Sequence, residues 1–377
     1  MVLFCSLVPG RVMADANDTL RISASLRQSW DDNYNRSSDA RPEEITIAAA
    51  GLAFNKKISQ QQLSANLGVS RYEHNRRDFL DATTWRGGAA WIGQLGNALR
   101  TRLSWNRYEQ PVDRAEFIGK DILTFDHRQA SISLVPGNHW RFPAGVRRNA
   151  LEHSNPGQLA INYEDREAFI GIGYVSNRRS TISLELVRGE RDYPRQNLNR
   201  PDDIPPGADL NYDYINTALS STWVVTSKTQ LEGRVDYFQR DGEVNDGNGS
   251  QVSLDGRWKA TDKLSLPSGY QFAQPAVGET SDSPSEVQRL FVEAEWQATP
   301  KLELTTRLSH ARLAYEPRTT LPARTEKGYR WVPLAARYQF TEQFGLTLAG
   351  SLLKQQSPVA DRDYIAREFS MGMQFQF

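Results

Sequence analysis

The sequence has almost no cysteine, no long apolar run and no excess of charge of either sign. Cys5 is the only cysteine in 377 residues, which excludes a disulfide framework and a cysteine metal site. Nowhere do about 18 apolar residues follow one another, so we expect no transmembrane helix. Lys plus Arg and Asp plus Glu each total 45, and this balance disfavours a basic domain that binds nucleic acid.

Apolar residues are only 39% of the chain and the mean hydropathy is -0.60, yet the sequence is not that of a disordered protein. Disorder requires few aromatic residues and a high net charge, whereas nine Trp, fourteen Tyr and fifteen Phe are present. The length suits two or three soluble domains or one large architecture. The pattern along the chain favours one domain, which we place at residues 15–377.

Residues 1–14 resemble the end of a secretory signal peptide. A short apolar stretch from Val2 to Val8 precedes Val12-Met13-Ala14, which fits a cleavage site before Asp15. A positive n-region and a longer apolar run are missing. We therefore interpret residues 1–14 as a signal-peptide remnant, with a disordered N-terminus as the alternative.

The main signal in the rest of the chain is alternation of apolar and polar residues. This period of two is that of strands, not of helices. Eighteen such runs follow one another from residue 20 to the C-terminus, joined by eight short turns and nine longer polar connections, among them Glu190–Asn211 and Asp241–Ser250. In the best example Leu290, Val292, Ala294 and Trp296 alternate with Arg289, Phe291, Glu293 and Glu295.

Short turns that alternate with long loops around strands of about 10 residues are typical of bacterial outer-membrane barrels. We predict an all-β fold, a closed antiparallel transmembrane β-barrel of about 18 strands, in the outer membrane of a Gram-negative bacterium. Closure removes the unpaired strand edges that lipid cannot satisfy, so an even strand count is expected and both termini lie at the short-turn, periplasmic side. Outer-membrane lipid and the barrel-assembly machinery are the partners that this fold requires.

A Trp-x-x-Thr-x-Lys pattern begins at Trp223, Trp258 and Trp296, with a variant at Tyr338. Solenoids and propellers also repeat at about 35 to 45 residues. A propeller buries both faces of its sheets, however, and would not place a charge at every second strand position. A soluble sandwich with a polar outer face remains the other alternative, against which the turn rhythm and the aromatic placement argue.

Aromatic residues cluster at strand ends beside the short turns, as an interfacial girdle requires. The last strand also alternates up to a terminal Phe, which resembles the closing strand of outer-membrane barrels. The predicted girdle consists of Trp140, Tyr174, Trp223, Trp258, Trp296, Tyr338, Phe340 and Phe377, with Phe54 at a further turn.

The polar parity of the strands predicts the residues that line the lumen, because lipid-facing and lumen-facing positions alternate. Both charge signs are present, so they either pair across the wall and only solvate the lumen, or form a selective track for hydroxyl-rich chains with aromatic rings among them. The candidates are Arg86, Arg100, Arg102, Glu232, Arg234, Asp236, Asp255, Arg257, Arg289, Phe291, Glu293, Glu295, Arg307, Trp331 and Arg337, with Arg27, Tyr108, Glu185 and Glu368 beside them.

Catalytic signals are weak. None of the five His pairs with another at the i, i+4 spacing of a metal site, and no nucleotide or haem motif is present. His153 and Ser154 are adjacent, but adjacent side chains point apart and cannot share a proton. We predict no enzyme activity, no catalytic residues, no metal and no cofactor.

Several stretches resemble the EpsL-type outer-membrane barrels of exopolysaccharide operons, within a broader second group of β-barrel porins. The opening stretches are Asp31–Arg36, Gly51-Leu52, Ser59–Gln62, Arg71-Tyr72 and Phe79–Asp81, and the later ones are Arg188–Pro194, Trp258–Lys263 and Trp296–Leu302. The resemblance runs over most of residues 20–377 and rests on the order and spacing of these motifs. It implies a role in moving a polymer across the outer membrane, and it carries over no catalytic residue.

Three functions follow as hypotheses. The first, favoured only by the resemblance, is an export channel for an exopolysaccharide that works with periplasmic or inner-membrane synthesis and secretion proteins. The second is a sugar-uptake or general diffusion porin. The third is a non-conducting structural barrel that anchors an assembly.

Overall fold

A computed structural model describes residues 19–96, 98–198, 207–280, 282–317 and 322–377. The predicted signal-peptide remnant at residues 1–14, including Cys5, lies outside this part of the chain. The two helices within it are short 3₁₀ segments, Asp78–Leu80 and Pro156–Ile161. No helix of the described residues is long and apolar enough to cross a membrane.

Nearly all regular structure is β-strand, in agreement with the period of two. The eighteen strands are β1 (Leu20–Asp31), β2 (Glu43–Ile58), β3 (Gln61–His74), β4 (Ala82–Leu95), β5 (Leu99–Pro111), β6 (Ile122–Leu134), β7 (Trp140–His153), β8 (Tyr163–Val175), β9 (Thr181–Asp192), β10 (Tyr212–Val224), β11 (Thr229–Gly242), β12 (Gly247–Lys259), β13 (Leu264–Ala273), β14 (Glu286–Thr299), β15 (Leu302–Tyr315), β16 (Arg324–Gln339), β17 (Phe344–Gln356) and β18 (Tyr364–Gln376).

Each strand pairs antiparallel with its neighbours in sequence, and the first strand also pairs with the last. At this junction Asp31 lies opposite Glu368, and Ile22 and Phe377 exchange two backbone hydrogen bonds of 2.8 Å. The sheet is therefore a closed ring without a free edge, which satisfies the backbone groups that lipid cannot. The prediction of a closed antiparallel barrel of about 18 strands is confirmed.

The repeated Thr of the short turns has a local structural role. The Thr261 hydroxyl accepts hydrogen bonds from the backbone N–H of Lys263 and Leu264, at 3.2 and 3.0 Å. Thr299 and Thr341 make the same pair of bonds two and three residues ahead. A hydroxyl that bonds the backbone ahead of it mimics a turn, so the Trp-x-x-Thr-x-Lys repeat encodes a strand end followed by a tight reversal.

The long connection predicted between β11 and β12 is wrong. The two strands continue to pair up to Arg240 opposite Gly247, so only residues 243–246 join them. The tight reversal depends on Gly247, whose φ of 111° is unfavourable for any residue with a Cβ. The polar, glycine-rich composition that suggested a loop is thus partly a turn and partly paired strand.

The loops at the other end pack on one another above the lumen. Tyr193 and Leu210 from the β9–β10 connection bury themselves against Ile161, Tyr212 and Ala276. A second contact between connections is ionic. Arg324 and Glu326, both fully or almost fully buried at the start of β16, form ion pairs with Asp282 and with Arg362 of the β17–β18 loop.

Candidate functional site: the lumen and its constriction

All but one of the predicted lumen residues lie on the inner face of the barrel. The face follows from the register, because residues directly opposite each other in paired strands project to the same side. Val292 and Leu308 pair on the outer face and are more than half exposed. Their neighbours Glu293 and Arg307 pair on the inner face, where an ion pair of 3.4 Å joins them.

The same reasoning places the rest of the set. The inner face carries Arg27, Arg86, Arg100, Arg102, Tyr108, Glu185, Glu232, Arg234, Asp236, Asp255, Arg257, Arg289, Phe291, Glu295, Arg337 and Glu368.

Trp331 was predicted to line the lumen, and this is wrong. It lies opposite Leu308 and Leu352 on the outer face. The reason is a β-bulge: β16 holds one extra residue between Trp331 and Leu334, which switches the parity on either side of it. Pro333 lies in the bulge, where its missing N–H costs no ladder bond. A proline inside a strand of an edgeless barrel was the available signal.

Four arginines of β1, β4 and β5 form a basic sector of the inner wall. Within the described part of the chain none of Arg27, Arg86, Arg100 and Arg102 takes part in an ion pair. The Arg86 side chain lies flat over Gly68, where a Cβ would come within 2.5 Å of its Nε. Gly68 is therefore required for this arginine to lie along the wall.

Carboxylates face this sector from the other side of the barrel. Glu232 of β11 and Asp255 of β12 are directly opposite each other, and their like charges act on one another. No arginine or lysine of the described residues forms an ion pair with either. Further round, Glu295 is neutralised by Arg257, at 2.6 Å. Uncompensated charge on the acidic wall is thus concentrated at Glu232 and Asp255.

The ring of eighteen strands sets the two sectors far apart. Positions nine strands apart in the ring are diametrically opposite, so β4 and β5 face β13 and β14, and the acidic β11 and β12 lie close to these. Fixed charges of opposite sign on facing walls create a field across the lumen, and low-dielectric walls focus such a field. A solute that passes must orient its own charges along it.

The β5–β6 connection, residues 112–121, reaches into this space. The Asp113 carboxylate interacts electrostatically with Arg289 of β14, which is diametrically opposite β5, and with Tyr364 of β18, about a quarter of the ring away. The Arg114 Nε donates to the Tyr34 hydroxyl at 3.3 Å. Because it extends from one wall towards the other, the connection narrows the lumen. It was not identified from the sequence, where its ten residues resemble an ordinary loop.

Apolar and polar contacts fix this connection at its base. Val112 packs against Leu123 and Leu151. His153 Nδ1 lies 2.7 Å from Asp121 Oδ2, while the Ser154 hydroxyl donates to the other Asp121 oxygen at 3.2 Å. Burial opposes the charge of Asp121, but the hydrogen bond and charge of His153, with the bonds from Asn155 and Ser154, together outweigh it and lower the pKa of this carboxyl. His153 and Ser154 thus both hold Asp121.

The predicted aromatic track is interrupted. Arg307 lies over the Phe291 ring at 4.2 Å from its centroid, and Arg147 covers Phe169 in the same way. Tyr108 stacks on Phe125 with centroids 4.8 Å apart. With Trp331 on the outer face, the rings do not form a continuous series of free faces along the lumen.

The predicted girdle residues project outward at the short-turn end. All are between 38 and 59% exposed, and Trp140 meets Tyr174 edge-on at 5.1 Å. At the closure of the ring Phe340 stacks on Phe344, which stacks on Phe375. A closed sheet that turns an apolar face outward all round, above such a band, is built for a lipid bilayer. The fold and the charged lumen define the class of protein: an outer-membrane barrel of porin type.

Solved structures of the same architecture support this class. OpdK of Pseudomonas aeruginosa superposes with a TM-score of 0.52 at 11% identity, covering 95% of this chain and 99% of that one. A BenF-like porin from Pseudomonas fluorescens Pf-5 gives 0.52 at 12% identity, covering 96% and 99%. OccAB4 of Acinetobacter baumannii gives 0.51 at 11% identity, covering 96% and 99%. Likeness at this level of identity shows the fold alone.

No family model matches the sequence, and no curated protein matches it.

Proposed function

We propose that this barrel is a passive uptake channel for small polar solutes, with a preference for anions. The observation that carries the proposal is the basic sector of Arg27, Arg86, Arg100 and Arg102, whose charges no protein carboxylate neutralises within the described residues. An arginine that is held on a lumen wall without an ion pair retains its hydrogen-bond donors for a passing carboxylate or hydroxyl.

The constriction supports a small solute. The β5–β6 connection is fixed at its base and extends across the lumen through Asp113 and Arg114. A long polymer would need a wider path and a continuous series of free rings, whereas Phe291 is covered by Arg307. The neighbours OpdK and the BenF-like porin share the fold, and one OpdK structure was solved with vanillate, a small carboxylate.

Export of an exopolysaccharide is the second candidate, supported by the sequence resemblance to EpsL-type barrels. It requires the β5–β6 connection to move aside, and it requires synthesis and secretion partners at the periplasmic end. Gene neighbourhood separates the two cheaply, because glycosyltransferases beside the gene favour export and an inner-membrane solute transporter favours uptake.

The direct test is the reversal potential of the purified protein in a planar bilayer under a KCl gradient. We expect chloride to be preferred over potassium. Arg86→Glu combined with Arg102→Glu should shift the reversal potential towards cation preference. Arg71→Glu is the matched control, because Arg71 lies on the outer face of β3 and should leave it unchanged.

Two outcomes would contradict the proposal. Cation preference of the unmodified barrel would remove the role of the basic sector. A deletion strain with reduced extracellular polymer, and normal growth on small organic acids and sugars, would favour export. Normal secretion and slower growth on one such solute would support uptake.

A further inference from the structure

A groove crosses the outer, lipid-facing wall from β2 to β10. It runs between two successive rungs of outward side chains and has a volume of about 1100 Å³. That is roughly seven times the ~150 Å³ cavity in which a benzene molecule binds. The groove is open to the membrane along its length and lies entirely outside the lumen.

The β2–β5 end of the groove is apolar. Trp91 and Leu103 are opposite each other on one edge, and Phe54 closes the end. The middle of the other edge has small side chains, because Ala65 lies opposite Ala89, between the larger Phe54 and Trp105. Large residues beside alanines leave a depression in a wall that is otherwise covered by bulky apolar groups.

The β6–β9 end of the groove is charged, and four arginines there outnumber the lining carboxylates of Glu190 and Asp213. Arg128, Arg148 and Arg166 are directly opposite one another on three successive strands, so three guanidinium groups follow one rung. Like charges placed opposite each other destabilise a sheet. Arg188 lies on the adjacent rung, opposite Ala168.

Carboxylates orient these arginines without using all of their donors. Arg128 bonds Asp126 and Arg148 bonds Glu164, each through Nε and Nη2. Arg166 bonds Glu164 through Nε and Glu190 through Nη1, and it lies 3.6 Å from Asp192. The Nη1 groups of Arg128 and Arg148 have no hydrogen-bond partner within the described residues, and Arg188 has no ion pair there. A guanidinium held at one edge by a carboxylate presents its other edge in a fixed direction.

The groove descends through the membrane from its charged to its apolar end. From Trp140 at the turn end to Arg148, β7 rises about 20 Å along the membrane normal, given about 3.4 Å per residue and a tilt of about 40°. An apolar band about 25 Å tall therefore places Arg148 near the extracellular headgroup level. Rungs run perpendicular to the strands, and the strands are tilted, so the height of a rung changes from strand to strand. Leu63 and Phe54, close to the turn between β2 and β3, therefore lie nearer the periplasmic side than Arg148.

We propose that this groove is a binding site for a phosphorylated lipid of the outer leaflet. Its phosphate lies against Arg148, Arg166 and Arg188, and its acyl chains follow Ala130 and Ala89 towards Phe54. The polarity of the groove changes with membrane depth as that of a lipid does. The guanidinium of Arg188 and the Nη1 groups of Arg128 and Arg148 supply the uncommitted donors that complement a phosphate. The site is independent of conduction, because it is on the outer wall.

Native mass spectrometry of the detergent-solubilised barrel with diphosphoryl lipid A tests the proposal. We expect binding at least tenfold tighter than that of the same lipid without its phosphates. Arg188→Gln should weaken binding about threefold without breaking an ion pair. Arg148→Gln, Arg166→Gln and Arg188→Gln together should weaken it at least tenfold.

Two further variants separate charge from shape. Ala89→Trp with Ala130→Trp fills the groove and leaves the arginines intact, and it should also weaken binding at least tenfold. Arg312→Gln with Lys327→Gln is the matched control. These two cations lie directly opposite each other on the outer face of β15 and β16, away from the groove. It should leave binding unchanged.

Equal affinity for the phosphorylated and dephosphorylated lipid would overturn the proposal. An equal loss of binding in the Arg312→Gln and Lys327→Gln control would also overturn it. Binding would then depend on surface cations in general and not on this groove. The proposal would also fail if Ala89→Trp with Ala130→Trp changed the oligomeric state and left the lipid affinity unchanged. A second copy of the chain would then be the occupant of the groove.

Discussion

The outer and inner faces of the same strands obey different rules. Outward side chains within the apolar band all meet lipid, so Leu290, Val292 and Trp296 are apolar whatever residues lie beside them. Inward side chains meet each other, and their roles depend on partners in other strands. Glu293 is neutralised by Arg307, whereas Glu232 faces a second carboxylate, Asp255.

The lesson is that alternation reports the face and not the function. An inward carboxylate has the same sequence pattern in two different situations. Either an arginine neutralises it, or it stays free to act on a solute. The pairing across strands decides, and it depends on register and on loops that are distant in sequence.

The largest expected effect is on the inner face at the loop end. Glu326→Gln should lower the free energy of unfolding by about 3–5 kcal/mol, because breaking a buried ion pair leaves charge uncompensated. Arg324 and Arg362 then share a single carboxylate, that of Asp282, so one positive charge is left uncompensated. Urea titration in lipid vesicles measures the change. A loss below about 1 kcal/mol would show that this cluster is hydrated.

The next largest effect compares two adjacent residues of β14, one on the lipid face and one on the lumen face. Val292→Arg should cost about 2–4 kcal/mol, because it places a charge on the lipid face near mid-membrane. Phe291→Arg, one residue away on the inner face, should cost at most about 1 kcal/mol from its lost contact with Arg307. Equal losses in the same vesicle titration would mean that the two faces are assigned wrongly.

A third experiment tests the β-bulge without a large change in stability. In a Cys5→Ser background, Arg330→Cys should react with a water-soluble maleimide through the lumen, and Trp331→Cys should not. Without the bulge the parity of Arg337 would place position 331 inside. Rapid labelling at 331 and none at 330 would contradict the register.

The smallest change in stability comes from insertions at the two ends. An epitope at Asp262, in the β12–β13 turn, should be hidden on intact cells, and one at Asp39, in the β1–β2 loop, should be reachable. A site between Asp203 and Pro206 is also expected to be reachable, although it lies outside the described residues. An antibody that binds Asp262 on whole cells would invert the topology.

Much of the barrel could be predicted from the sequence because its information is local. The strand count follows from the period of two, and the turns follow from Thr226, Thr261 and Thr299, each of which bonds the backbone just ahead. Local composition also misled once. The glycine-rich stretch around Gly247 looked like a long loop, and the strands pair through most of it.

The candidate site could be predicted less completely, because its features depend on contacts between distant parts of the chain. Sequence parity identified its wall residues, except Trp331 beyond the bulge. It did not identify the constriction, because Asp113 acts on Arg289, which lies far along the chain and across the ring. Nor did it separate the free arginines, such as Arg86, from neutralised ones such as Arg257.

By itself, then, the sequence determined that the chain closes into an antiparallel barrel with an apolar outside and a charged inside. Alternation, turn chemistry and the lipid solvent act at each residue separately, so they can be read without knowing any partner. Only the tertiary structure decided which charges remain free, where the lumen narrows and where the outer wall opens into a groove. Those features arise between residues that ring closure and strand register bring together. Closure and register are properties of the whole sheet, so no single position in the sequence specifies them.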